Sequence, residues 1–354
     1  MDFKHSLSLN ASQARRKTLV RRSILALFAI VVLLTLYNLP FRQPLDLSSH
    51  HGSLSSSYHK TSSSKNAFAV YLAETENEDD EDAEDDPYFT SIRMQIYQLL
   101  HDPRTRTLQN IPFVVLVSPG VNQSKRLRLH NEGAMVVEFP QINIATVHPG
   151  RDRWKRVMDK LNVFKLTQFE KVLLMDSDIV IFARLDGVFD DPAAATLQIN
   201  RGDPSKAASD EGPQPQIYLM AANCSPKRRE KGVWPPEKNG VLNAGFVVIH
   251  PSEEMFEHYI RVVSIEGRTP TDAPENNLWE YVHRRDYAGK EGGNMPFTEL
   301  NGTWIANGPI YEDYTMGIKA VHEKWFRNSM TDMKLRDVLL KARWRMDGYW
   351  SRED

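Results

Sequence analysis

The chain has 354 residues, a formal net charge of −2 and a single cysteine, Cys224. The near-neutral charge argues against a nucleic-acid-binding protein, because that class usually carries a strong basic excess. A single cysteine excludes any disulfide within the chain, and a chain of this length can bury an ample core without one.

An apolar stretch over residues 23–39 follows basic clusters at 15–17 and 21–22. As a helix it would measure about 26 Å, slightly less than the ~30 Å hydrocarbon core of a bilayer, and the thinner membranes of the early secretory pathway tolerate that length. The basic flank predicts that the N-terminal side stays cytosolic. A cleaved signal peptide is the alternative, but the apolar run is long for one and residues 38–41 lack the small residues that cleavage needs.

The composition along the chain predicts four regions: a cytosolic tail over 1–22, a transmembrane anchor over 23–39, a disordered serine-rich stalk over 40–65 and a folded domain over 66–354. Near the start of the domain lies an acidic block from Glu74 to Asp86. Such blocks are usually solvated loops whose charges repel one another, so we expect this one to turn away into solvent.

Apolar runs alternate with helical spacing from residue 66 onward, which predicts an α/β fold with a mostly parallel sheet covered on both faces. In such a sheet, ligands bind beyond the carboxyl ends of the strands. The predicted elements of the first half are strand 66–72, a helix over 87–100, strand 113–117, helix 125–132, strand 135–138, a helix over 154–165 and strand 171–175. In the second half they are loops 200–215 and 225–240, strands 216–222 and 245–250, and helices 275–284 and 330–345.

Two carboxylates stand between two apolar runs, where Asp176-Ser177-Asp178 separates strand 171–175 from residues 179–182. Acidic groups beside a buried strand are costly unless a cation meets them. A slight turn at the strand end lets both carboxylates face one divalent ion, Mg²⁺ or Mn²⁺, that holds a diphosphate. A plain turn between two strands is the alternative, because Asp and Ser are common in turns and D-x-D is short.

The surrounding residues make this motif more specific, because their order resembles the central segment of the glycogenin-like members of glycosyltransferase family 8. The resemblance covers roughly residues 66–327 and includes a strand similar to the family's N-A-G strand. Together with the predicted anchor, it makes the chain similar to fungal Golgi-type members such as N-acetylglucosaminyltransferases. The runs that carry the resemblance are Lys160–Phe164, Leu166–Val172, Met175–Asp178, Leu185–Asp190 and Leu242–Val248.

The resemblance implies a single GT-A-like, nucleotide-sugar-binding domain that uses manganese and transfers a sugar from a UDP donor with retention at the anomeric carbon. It implies that Asp176 contacts the donor ribose and the ion, and that Asp178 ligates the ion. The family's third metal ligand is a histidine in a late H-x-x-G-x-x-K-P-W motif. His322 is the candidate here, although the glycine is missing and the spacer is shorter. An ordinary packed histidine is the alternative.

The resemblance also implies contacts to the donor from the acid motif, including Ser177, and from two lysines. Lys160 matches a family lysine near the donor, with a solvated helix cation as the alternative. Lys324 is a candidate diphosphate contact. Tyr88, just after the acidic block, is a candidate stacking partner for uracil.

Small residues and an acid–amide pair complete the candidate site. Asn243, Ala244 and Gly245 match a segment beside the transferred sugar, where larger side chains would fill the sugar pocket. A strand-entry turn is the alternative for them. Glu275 and Asn276 stand where the family has an acid followed by an amide near the reacting carbon; the acid–amide order is kept, although both residues differ from those of the family.

The sequence therefore predicts a retaining, metal-dependent glycosyltransferase, a single-pass type II protein of the Golgi membrane with its catalytic domain in the lumen. Its expected donor is a UDP-sugar carrying N-acetylglucosamine, glucose or galactose, and its expected acceptor a glycan or glycoprotein. A non-catalytic, membrane-tethered relative that binds a glycan or a partner is the alternative. A nucleotidyltransferase of similar fold is disfavoured, because no glycine-rich phosphate loop follows the first strand.

Overall fold

The computed structural model describes residues 64–74, 86–147, 156–199, 206, 208–224, 234–235, 240–270, 272–286, 291–327 and 329–352. The chain divides into the units 1–59 and 60–354, and all described residues belong to the second. The predicted tail, the predicted anchor and the predicted stalk up to residue 63 lie outside the described residues. Within the described ranges, no helix is long and apolar enough to cross a membrane.

Twelve strands occur in the described part of the chain, and seven of them form one sheet in the order β10-β8-β9-β4-β1-β2-β3. The strands are β1 Asn66–Leu72, β2 Phe113–Val117, β3 Met135–Glu138, β4 Lys171–Met175, β5 Ile179–Ile181, β6 Leu197–Gln198, β7 Ile217–Tyr218, β8 Met220–Cys224, β9 Leu242–Ile249, β10 Thr298–Glu299, β11 Ile305–Asn307 and β12 Ala320–His322.

The large sheet is mostly parallel, as predicted, because β1 pairs in parallel with both β2 and β4, β2 with β3, and β8 with β10. Its strands are buried on both faces: along β1, Phe68 and Val70 enter one apolar cluster while Ala67 and Ala69 enter the cluster on the other face. The exception is β9, which runs antiparallel to both β4 and β8. This reversal brings the start of β9 alongside the carboxyl end of β4.

A second, three-stranded sheet in the order β11-β12-β5 continues from the end of β4. Strand β12 pairs antiparallel with β5, and His322 is opposite Ile179. Because β5 begins directly after Asp178, this register fixes His322 beside the acidic turn. The turn is therefore the point where the chain passes from one sheet to the other.

Six α-helices lie in the described ranges, and several differ from the sequence-based expectation. The helix predicted over 87–100 ends as α-helix at residue 96 and continues as π-helix over Tyr97–His101, and the segment predicted as a helix into residue 165 is a 3₁₀ helix over Val157–Lys165. The helices are α1 Pro87–Ile96, α2 Gln123–Asn131, α3 Glu253–Val263, α4 Pro274–Val282, α5 Tyr311–Thr315 and α6 Met333–Trp350.

Two further predictions were wrong in the second half of the domain. The strand expected from the apolar pattern over 245–250 begins earlier, at Leu242, which is where the resemblance over Leu242–Val248 implied a strand. Helix α3 was not predicted at all. Its sequence signal is the N-cap Ser252, whose hydroxyl accepts from the Met255 amide, followed by acidic residues in the first turn.

Candidate active site

The two carboxylates of the acidic turn lie at the carboxyl end of β4, beside the start of β9. The Asp176 amide still belongs to this sheet, because it donates to the carbonyl oxygen of Gly245 at 2.8 Å. The chain then bends through Ser177 and enters β5. Asp178 is only 6% exposed, whereas Asp176 is half-buried. The turn is thus fixed to both sheets, and the carboxylates of Asp176 and Asp178 lie on the same side of it.

His322 completes a cluster with these two acids. Its Nε2 atom lies 3.0 Å from Oδ1 of Asp178 and 3.5 Å from Oδ2 of Asp176. One ligand atom from each of the three residues falls within 4.8 Å of the others. Two carboxylates and an imidazole nitrogen facing one point form a donor set that fits a divalent cation. The residues predicted from sequence as metal ligands are therefore together.

The other side of the His322 ring is fixed by Asn307 on the neighbouring strand β11. Nδ1 of His322 lies 3.2 Å from Oδ1 of Asn307, and the two residues are paired in the β11–β12 register. When Nδ1–H donates to this amide oxygen, Nε2 faces the carboxylates. Metal-binding histidines are commonly oriented in this way by a hydrogen bond from their other ring nitrogen. Asn307 was not singled out from the sequence, because only the strand register brings it to His322.

Gly245 leaves the space that the His322 ring occupies. A Cβ atom added at this position would lie 2.5 Å from Cε1 and 2.8 Å from Nδ1 of His322. Any larger residue at 245 would displace the ring. The expected need for a small residue is therefore met here, and the neighbour that requires it is the histidine itself.

Two lysines contact the acidic turn from opposite sides. Nζ of Lys160 lies 2.5 Å from Oδ1 of Asp176 and 2.8 Å from Oε1 of Glu275. Nζ of Lys324 contacts Oδ2 of Asp178 and donates to the hydroxyl of Tyr88 at 3.1 Å. The reading of Lys160 as a solvated cation was wrong, because the residue is half-buried and its ammonium group lies between two carboxylates.

The charges of this cluster shift one another's pKa values. Burial raises the pKa of Asp178, but His322 and Lys324 outweigh burial and hold that pKa far below its usual range. Burial lowers the pKa of His322, while Asp178 and Asp176 raise it above the ordinary value. Lys160 behaves in the same way: its two carboxylate partners overcome burial and raise its pKa. The charged forms of Asp178, His322 and Lys160 are therefore favoured over their neutral forms.

The small residues and the acid–amide pair form the opposite wall. Oδ1 of Asn276 accepts from the amide of Ala244 at 3.0 Å, and Oδ1 of Asn243 accepts from the amide of Gly245 at 2.9 Å. Residues 243–245 belong to β9, so the alternative of a strand-entry turn was wrong. Asn276 fixes the backbone of this wall, and Glu275 pairs with Lys160.

These groups surround a cavity of about 760 Å³ beyond the carboxyl ends of β1 and β4. Every candidate residue predicted from the sequence lines it. Tyr88 contributes its ring, which is 4.8 Å from Nζ of Lys324 and 5.3 Å from the ring of Phe326. The members are Tyr88, Lys160, Asp176, Ser177, Asp178, Asn243, Ala244, Gly245, Glu275, Asn276, His322 and Lys324.

The cavity also contains an ion pair that sequence reasoning missed. Oε1 of Glu74 lies 3.1 Å from Arg156, and its other oxygen accepts from the hydroxyl of Ser118. Both Glu74 and Arg156 line the cavity. The expectation that the acidic block turns away into solvent was wrong for Glu74, because a cation and a hydroxyl hold it at the end of β1.

The other end of the acidic block is also held by the fold. The Asp86 carboxylate caps α1 by accepting from the amides of Tyr88 and Phe89, and it pairs with Lys125 at 3.1 Å. The expected solvated loop was therefore wrong for this residue too. Residues 75–85 lie outside the described residues, and their expectation stays a prediction.

No protein-family model matches the chain. Among curated proteins it is similar to a Schizosaccharomyces pombe protein described as uncharacterised, at 27% identity over 292 residues, which cover 74% of this chain and 73% of the relative. It is also similar to galactinol synthase 5 of Arabidopsis thaliana, at 27% identity over 183 residues, which cover 50% of this chain and 53% of the relative. Among solved structures, the glycosyltransferase GlyE of Streptococcus pneumoniae has 13% identity and a TM-score of 0.44, over 81% of this chain and 64% of that one.

The galactinol synthase likeness supports a glycosyltransferase relationship, the broader part of the resemblance noted in the sequence. The narrower expectation of a Golgi N-acetylglucosaminyltransferase stays a prediction.

Proposed function

We propose that this protein is a retaining, metal-dependent glycosyltransferase that moves a sugar from a UDP-sugar to a glycan or glycoprotein acceptor. The observation that carries the proposal is the cluster of Asp176, Asp178 and His322, within 4.8 Å of one another, in a cavity beyond the strand ends. Ligands of open α/β sheets bind at this edge. The sequence resemblance and the galactinol synthase likeness support the same reaction class.

Manganese is the proposed cofactor, because carboxylates suit both magnesium and manganese, and the imidazole nitrogen beside them favours the transition metal of the two. When bound, such an ion stabilises the negative charge that develops on the departing diphosphate. Lys324 contacts Asp178 at the same place, so its ammonium group is positioned to meet diphosphate oxygens that approach the acidic turn. We assign it a donor-binding role.

The proposed route to retention is attack on the same face from which the diphosphate leaves. A covalent route would require a carboxylate nucleophile facing the anomeric carbon. Glu275 is the candidate by motif, but it is only 8% exposed and its Oε1 accepts from Lys160 at 2.8 Å. We therefore assign Glu275 and Asn276 to holding Lys160 and the β9 wall around the transferred sugar.

The sugar proposed for the donor is N-acetylglucosamine, with glucose and galactose as the alternatives. The proposed location is the Golgi membrane, with the catalytic domain in the lumen. The apolar stretch over 23–39 with its basic flank supports a type II orientation. The acceptor follows from that location, because glycans and glycoproteins are the substrates presented there.

The test is a screen of UDP-sugars against the full-length protein, with and without Mn²⁺, that measures release of UDP and transfer to glycan acceptors. We expect one donor to be turned over only with the metal, and Asp176→Ala to abolish that turnover. A protein that binds UDP with manganese but neither hydrolyses nor transfers any sugar would contradict the enzymatic assignment. That result would favour the non-catalytic, glycan-binding alternative.

A further inference from the structure

A buried amide on α1 contacts the backbone of the acidic turn. Nε2 of Gln95 lies 2.8 Å from the carbonyl oxygen of Asp176, 3.2 Å from that of Ser177 and 3.1 Å from that of Ile179. Gln95 is 0% exposed. We infer that Gln95 is a positioning residue for the metal and diphosphate site, an inference that rests on the proposed function.

Among the described residues, Gln95 places a donor within 3.2 Å of the carbonyl oxygens of Asp176 and Ser177, whereas the Asp178 carbonyl accepts from the Glu323 amide at 3.1 Å. The Asp176 carbonyl also receives the Ile179 amide, but only at 3.3 Å. Buried backbone carbonyls without a donor are costly, and they are rare in folded proteins. The two hydrogens of one amide, shared among three oxygens, satisfy the inner side of the turn. The carboxylates are thereby left on the outer side, facing the cavity.

The position of Gln95 is otherwise one for an apolar residue. Its neighbours Ile92, Met94 and Ile96 are each 0% exposed and enter the apolar clusters. A buried amide among them costs stability unless its hydrogen bonds return that cost. The three hydrogen bonds of Gln95 Nε2 all go to the acidic turn or to the first residue of β5, which points to a role in setting that backbone.

A second glutamine on the same helical run provides an internal comparison. Nε2 of Gln98 donates to the carbonyl oxygen of Ile181 at 2.9 Å, and its Oε1 accepts from the Ile181 amide at 3.2 Å. Gln98 is 3% exposed. It therefore supports β5 beyond the turn and contacts none of the residues assigned to the metal or donor. Loss of either amide removes buried hydrogen bonds, but only loss of Gln95 frees the turn.

The two roles predict different consequences. Without the Gln95 amide, the Ser177 carbonyl loses its donor and the Asp176 carbonyl keeps only the longer contact from the Ile179 amide, so the peptide units of the turn are less constrained. The acids then no longer share one point with His322. Metal-assisted binding of a diphosphate should weaken more than the fold does. The Gln98 change should weaken the fold alone.

The experiment titrates full-length Gln95→Met and Gln98→Met with UDP in the presence of saturating Mn²⁺, by calorimetry, and records the thermal midpoint of each. Methionine keeps the length of glutamine and removes its donors. We expect Gln95→Met to lose at least tenfold in UDP affinity and Gln98→Met to stay within twofold of the wild type, at comparable losses in midpoint. Gln95→Asn, which keeps an amide on a stem one methylene shorter, should lie between Gln95→Met and the wild type.

Two results would overturn the inference in distinguishable ways. If the wild type binds UDP with manganese and Gln95→Met loses no more affinity than Gln98→Met, the positioning role is wrong and the proposed function stands. If the wild type itself shows no manganese-dependent binding, the proposed function fails and this inference fails with it. If Gln95→Met does not fold, the same comparison is made between Gln95→Asn and Gln98→Asn.

Discussion

Two histidine sites within the domain have opposite charge preferences. His322 faces Asp176 and Asp178, which raise its pKa above the ordinary value although burial acts in the other direction. In the core between α3 and α4, burial lowers the pKa of His283 to about 3 and that of His258 to about 4. Burial is common to both sites, so it is the charge of the neighbours that separates them.

Burial is the main cause of the low pKa values of the core site, and the hydrogen bonds of His283 are compatible with the neutral form. Nδ1 of His283 lies 2.7 Å from the carbonyl oxygen of Met295, and Nε2 lies 2.5 Å from the hydroxyl of Tyr259. An imidazole that donates from Nδ1 and accepts at Nε2 satisfies both partners without a charge. A buried histidine among neutral groups is therefore structural here, whereas one that faces two carboxylates marks a candidate cation site.

The largest effect that separates the two sites is expected from Asp178→Ala. This change removes the carboxylate that His322 and Lys324 both contact, and with it one of the three candidate ligand groups. We expect manganese-assisted UDP affinity to fall about a thousandfold, in line with the loss of one partner from a buried charge pair. Calorimetric titration measures it. A fall below tenfold would show that Asp178 is not a ligand.

A smaller but still large effect is expected from Gly245→Ala. The added methyl group would lie 2.5 Å from Cε1 of His322, so the ring must move. Displacement of a site group by about 1 Å can reduce turnover about a hundredfold, and we expect a loss of that size. Gly187→Ala is the control, because its added carbon would meet Trp304 at an ordinary 3.5 Å. Equal activity of both variants would contradict the placement of His322.

The core site should make stability depend on pH in the acidic range. The pKa values of His258 and His283, about 4 and about 3, lie below the ordinary value of 6.5, so the unfolded chain binds more protons. The free energy of unfolding should therefore have its full value above pH 6.5 and decrease as the pH falls towards 4. At pH 5 the loss is about 2 kcal/mol for each histidine.

Denaturant unfolding at pH 7 and pH 5 measures this dependence. His258→Leu removes one of the two groups, so the difference between the two pH values should shrink by about 2 kcal/mol, the share of one histidine. His130→Gln is the control, because His130 is exposed on α2 and should leave the difference unchanged. A difference that does not change with His258→Leu would show that this residue does not titrate with folding.

The smallest effect is expected from Asn307→Ala, which removes the partner of Nδ1 of His322. The ligand atoms remain, but the ring loses the contact that directs Nε2 at the carboxylates. Loss of such a partner typically weakens metal binding about tenfold, and we expect that size here. Titration of UDP at several Mn²⁺ concentrations gives the apparent metal affinity. An unchanged value would assign the orientation of His322 to Gly245 and the strand register alone.

Much of this arrangement could be predicted from the sequence because the relevant signals are local. The apolar runs before and after the acidic turn specify β4 and β5, and the motif order identified Lys160 and His322. The parts that were missed depend on contacts between distant segments. Asn307 reaches His322 only through the β11–β12 register, and Gln95 reaches the acidic turn only through the packing of α1 on β5.

Two other misses have different physical causes. The acidic block suggested a solvated loop, but Glu74 meets Arg156, a residue 82 positions later, and such a pairing leaves no local pattern. The apolar pattern alone places the start of β9 at residue 245, because Asn243 and Gly245 weaken the strand signal. In the fold, Asn243 pairs with Asn223 of β8, and the amide of Ala244 donates to the Asn276 side chain. Local propensity was overridden by partners that the fold supplies.

The most direct test of the proposed metal and donor site is calorimetric titration of the full-length protein with UDP, with and without Mn²⁺. We expect UDP to bind tightly with Mn²⁺ and weakly without it. An Asp176→Ala and Asp178→Ala double variant that still unfolds cooperatively should bind no UDP. If the wild type does not bind UDP, or binds it equally well with and without Mn²⁺, the proposed metal and donor site is wrong.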